Sequence, residues 1–131
     1  MADITEEVAK AEIARFAEAM DLDLDPAGMD DEDKKSLAEA ERKLVRAMLA
    51  GQLVINECGE PVVKTSAGQT ITFKEPKGAA LMEMDQRKKS HDIARLYTVM
   101  GAITGLPTKT FSDMANRDVK VCIAITNLFL G

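Results

Sequence analysis

The sequence predicts an α+β fold, mainly helical, with a small antiparallel β-meander in the middle of the chain. Three observations predict it. Apolar residues recur at helical spacing up to about residue 50 and again from about residue 81. Between these stretches lie short β-branched runs separated by Gly, Pro and Ser. The chain has 131 residues, 46% of them hydrophobic and 30% charged, the balance of a chain that buries one core. We therefore expect a single domain over 1–131: an acidic helical region over 1–50, short strands over 51–75 and a helical region over 76–131.

The first helix is expected from about Ile4 to Met20, with Ile13, Phe16, Ala17 and Met20 on its apolar face and Asp3 or Thr5 as cap. Pro26 and Gly28 keep the following acidic linker out of helix. A second helix is expected from about Asp31 to Ala50. Asp30 is its N-cap, Leu37, Leu44, Val45, Met48 and Leu49 form its stripe, and Gly51 ends it.

Leu53–Asn56, Val62–Thr65 and Thr70–Phe73 read as the three strands, with turns at Gly59–Pro61 and Ser66–Gly68. Such a sheet needs helices against its apolar face. Helical period resumes with Leu81 and Met84 and continues through Ile93, Leu96, Tyr97, Met100 and Ile103, with a break near Ser90. It stops at Thr104-Gly105-Leu106-Pro107, where Gly105 supplies a left-handed residue, Leu106 folds back onto Met100 and Pro107 forbids continuation. The last helix, about Asn116 to Leu130, is apolar on most sides.

Charge and composition exclude several functions. Residues 1–50 carry 14 acidic and 7 basic side chains, and residues 51–131 carry 8 and 10. An acidic front half repels phosphate, and aromatics at 4% provide no stacking platform, so nucleic acid is not an expected partner. No apolar run approaches the ~20 residues that span a bilayer, and the N-terminus lacks a signal-peptide pattern. We expect no membrane partner and a cytoplasmic location.

Asp21, Asp23, Asp25 and Glu32 fall at calcium-loop positions, but Pro26 occupies the place where that loop needs a glycine. His91 is the only histidine, and its neighbour Asp92 does not share its helix face. Cys58 lies in a turn with no evident base, and Cys122 reads as a buried small hydrophobe. The expectation is no enzyme, no catalytic residue, no metal and no cofactor.

What remains is apolar surface in excess of the core's needs. Most of it is expected inside. A minority left outside would form a helix-binding groove, with Met100, Leu106, Phe111, Val119, Ile123, Leu128 and Phe129 as candidate contact residues. The same helix suits pairing with a second copy, so a homo-oligomer is compatible with it.

The order of motifs in the second half carries a resemblance. Ile71-Thr72-Phe73-Lys74-Glu75-Pro76 is followed by Leu81–Asp85, then Ile93–Ile103, Thr104-Gly105-Leu106-Pro107, and Asp118 through Phe129-Leu130. Over about residues 70–131 this resembles the tail assembly chaperones of Mu-like and related contractile-tailed phages. The resemblance implies a non-catalytic phage or prophage protein of the host cytoplasm. Such a protein binds the tape measure protein, keeps it soluble, and yields it as tail tube subunits polymerise, which makes the tail tube protein a second candidate partner. The alternative is an acidic adaptor or structural phage protein acting by protein–protein contact outside tail chaperoning.

Overall fold

The computed structural model describes residues 5–22, 27–75 and 93–130, with the side chains of 93–95 and 130 outside that description. Among the described residues the order is α1 (Glu6–Ala19), α2 (Asp31–Leu49), β1 (Leu53–Ile55), β2 (Pro61–Lys64), β3 (Thr70–Thr72), α3 (Ile93–Thr104), α4 (Thr108–Ser112) and α5 (Asn116–Leu130). This is an α+β fold, mainly helical, with the expected meander. Asp3, the linker residues 23–26, the helical start at Leu81 and Met84, the break near Ser90, and His91 lie outside the described residues.

Local chemistry sets the helix ends. The Thr5 hydroxyl accepts a hydrogen bond from the Val8 N–H at 3.2 Å, and the Asp30 carboxylate accepts one from Asp33 N–H at 2.8 Å. Each cap satisfies an orphan donor, with acids behind it in the first turn. Both helices end in the same paired-bond motif. Leu22 N–H reaches Ala17 C=O at 2.8 Å, and Gln52 N–H reaches Ala47 C=O at 2.9 Å. The left-handed residue of that motif is Gly51 (φ 77°) in α2 but Asp21 (φ 54°) in α1.

The sheet has strand order β1-β2-β3, antiparallel throughout, with Leu53 opposite Val63 and Val63 opposite Ile71. These three side chains face inward and are almost fully buried. Helices α1 and α2 pack on β1, and α5 packs on β2 and along α2. One contiguous apolar cluster results, running from Ala9, Ile13 and Phe16 through Leu44 and Phe73 to Ile125 and Phe129.

Past α3 the chain turns back where expected. Gly105 adopts φ 76°, and its N–H bonds Gly101 C=O at 2.8 Å. The return passes so close to Gly101 that a Cβ there would meet Leu106 O at 2.8 Å. Pro107 then does more than stop a helix: its extended conformation makes it the residue before α4, a short helix that burial of Phe111 anchors.

Candidate interaction surface

The seven candidate contact residues divide by burial. Met100, Phe111, Val119, Leu128 and Phe129 belong to the chain's own core, Met100 with no exposed surface at all. Leu106 and Ile123 are half-buried and pack against that core. The expected groove on this stripe is therefore not formed by these residues in the folded chain. The physical reason is α5 itself: it packs on α2, α3 and β2 at once, so its broad apolar surface is consumed internally.

A polar centre sits at the start of α5, on a residue that the sequence marked only as the opening of the last motif. Asp118 is 1% exposed. Its Oδ1 accepts from Gln52 Nε2 at 2.8 Å, and its Oδ2 accepts from Ser66 N–H at 3.0 Å and from the Ser66 hydroxyl at 2.7 Å. One carboxylate thus ties the first turn of α5 to the α2–β1 connection and to the β2–β3 turn. The helix N-terminus favours its negative charge. Thr65, Gln69, Thr110, Asp113 and Met114 border an open depression of about 540 Å³ above it.

Asp118 also acts on Cys122, one helical turn further on. Burial, and secondly the Asp118 charge, pushes the Cys122 thiol up from 9.0 to about 12. Cys122 stays a thiol at neutral pH, its sulfur 4.0 Å from that of Met114. Cys58 is exposed in the β1–β2 turn. Among the described residues no group of three or more His, Cys, Asp or Glu side chains is arranged to hold a metal ion.

That turn is bound to α1. Arg15 donates from Nη1 to Asn56 C=O at 2.7 Å and from Nη2 to Ile55 C=O at 2.8 Å, and it also pairs with Glu12. Gly59, at φ 80°, lies against α1 so closely that a Cβ there would sit 2.3 Å from Ala19 Cβ.

The surface left open to a partner lies elsewhere. Between α1 and α2 runs a groove of about 400 Å³, floored by Ile13, Ala14, Ala17 and Leu22 and edged by Lys10, Glu18 and Glu41. Among the described residues, Val8, Leu49 and Val54 are the exposed large apolar side chains, Val54 at 56%. Among the described residues no helix is long and apolar enough to cross a membrane. Comparison of the chain with family models, with curated proteins and with solved structures gives no match.

Proposed function

We propose that this chain works by protein–protein contact in the host cytoplasm, as a phage or prophage tail assembly chaperone that holds the tape measure protein soluble until tube subunits polymerise around it. The observation that carries the reading is the order of motifs over about residues 70–131: a strand, an apolar helix closed by Thr104-Gly105-Leu106-Pro107, and a last helix from Asp118 to Leu130. The physics agrees with the role. A net charge of -5 keeps a complex with an aggregation-prone client in solution.

The test is capture by the tagged full chain from source cells after prophage induction, with bound proteins identified by mass spectrometry. Recovery of one very long, helix-rich phage protein, together with its loss of solubility when the chain is deleted, is the expected result. Recovery of tube or capsid components without it replaces the chaperone reading with that of a structural adaptor.

A further inference from the structure

The groove between α1 and α2 takes its main wall from one α1 face. Lys10, Ile13, Ala14, Ala17 and Glu18 are spaced i, i+3, i+4, i+7, i+8 and line it together, with Leu22 beyond the helix end and Glu41 facing them from α2. Ile13 and Ala17 close the floor, Ala14 is exposed and Leu22 is half-buried. The two alanines keep the α1 wall low, which allows another helix to approach closely, since interhelical distance follows side-chain size at the contact.

The charges on the rim are unequal. Lys10 is engaged by Glu6 at 3.3 Å. Glu18 and Glu41 have no ion-pair partner among the described residues. The groove thus presents an apolar floor between two uncompensated carboxylates, one from each helix.

We infer that this groove is a docking site for a basic amphipathic helix of a partner protein, one with an apolar stripe at i, i+3, i+4 and i+7 and Lys or Arg on both flanks. Charge complementarity selects this occupant. The apolar stripe covers the exposed Ala14 and the half-buried Leu22 over a floor closed by the core residues Ile13 and Ala17, and the flanking cations meet Glu18 and Glu41. A second copy of the chain fits poorly, because residues 1–50 carry 14 acidic against 7 basic side chains and would bring like charge to the rim. The inference rests on the reading that the chain acts by protein–protein contact, and it names the surface that receives the partner.

The experiment uses the full chain and two labelled synthetic peptides of about 18 residues, five helical turns, in fluorescence anisotropy. Both carry the same leucine stripe; one has Lys flanks and the other Glu flanks. The Lys peptide is expected to bind at least tenfold more tightly. Ala14→Arg, at an exposed helical position, and the double reversal Glu18→Lys/Glu41→Lys are each expected to weaken it at least tenfold. The double reversal should also raise affinity for the Glu peptide, an outcome that loss of folding does not produce. Val54→Arg, on the sheet, should leave binding unchanged. Equal binding of the two peptides, absence of binding, or equal loss with Val54→Arg overturns the inference.

Repeating the tape measure capture with Ala14→Arg separates the two readings. Undiminished capture removes the groove and leaves the chaperone, whereas peptide binding without tape measure capture leaves the groove and removes the chaperone.

Discussion

The ring of Phe16 in α1 meets the ring of Phe129 in α5 edge to face, with centroids 5.4 Å apart and planes at 85°. This contact joins the acidic first region to the last helix, so the two ends of the chain share one core. Aromatic pairs in this geometry contribute about 0.5–1.5 kcal/mol beyond the area they bury. A double-mutant cycle with Phe16→Leu and Phe129→Leu should return a coupling of about 1 kcal/mol by urea denaturation. Phe129→Ala alone should cost about 3–5 kcal/mol, because the side chain is 6% exposed and the site cannot fully collapse. Coupling indistinguishable from zero would mean that the rings do not meet in solution. It also follows that a Phe129→Asp substitution would act on folding before it acted on any partner, since the side chain lies in the chain's own core.

The Asp118 carboxylate should tolerate its amide and reject its hydrocarbon isostere. In Asp118→Asn, the remaining oxygen still accepts both bonds from Ser66, and the new NH2 meets Gln52 once the Gln52 amide turns to present its oxygen. The expected cost is about 1 kcal/mol, the loss of charge assistance and of the favourable helix-terminus interaction. Asp118→Leu strands the Ser66 and Gln52 donors and should cost about 3 kcal/mol or more. Thermal melts of the two variants provide the check; equal midpoints would show that the three hydrogen bonds are not maintained.

Gly59 should resist substitution by alanine for two additive reasons. Its φ of 80° is strained for any residue with a Cβ, and that atom would lie 2.3 Å from Ala19 Cβ, which is anchored directly to the α1 backbone and cannot swing away. Gly59→Ala is expected to cost about 2–4 kcal/mol, whereas Gly68→Ala, with φ 86° but open space around it, should cost only about 1–2 kcal/mol. A Gly68→Ala variant as damaged as Gly59→Ala would refute the close approach of the turn to α1.

What the sequence made readable follows from range. Thr5, Asp30, Gly51 and Gly105 act on backbone groups a few residues away, so the ends they set were foreseeable. Strand β2 runs Pro61–Lys64, one residue earlier than the pattern implied: at its start the Pro61 C=O accepts from Phe73 N–H at 2.8 Å, and beyond its end the Thr65 hydroxyl, in place of the Thr65 carbonyl, accepts from Gln69 N–H at 3.0 Å. Helix α4 was missed because Pro107 was read only as a stop, although proline equally suits a helix start. Asp118 stood out only as the first residue of a motif, and its polar role was not legible because its partners Gln52 and Ser66 lie 66 and 52 positions away. The contact stripe was hard to tell from core for a related reason. Apolar residues at helical spacing look alike whether a partner or the same chain covers them, and only the packing of α5 on α2, α3 and β2 decides.

Cys122 yields a prediction with a defined pH window. Its thiol ionises near 9.0 when free of the fold and at about 12 within it, so burial first and Asp118 second favour the protonated form. Between these values the unfolded chain has lost the proton while the folded chain keeps it. The unfolded state then binds fewer protons, and stability must fall as pH rises. The contribution is complete below about pH 9 and is lost progressively towards pH 12, a difference of about 4 kcal/mol at the upper end. The measurement is the difference between the parent chain and Cys122→Ala, followed by urea denaturation from pH 8 to 11. The variant should lose stability less steeply. Parallel curves would mean that the Cys122 thiol is not held above its ordinary range. Thiol labelling at pH 8 gives an independent check: Cys58, exposed in its turn, should react in the native protein, and Cys122 should react only after unfolding.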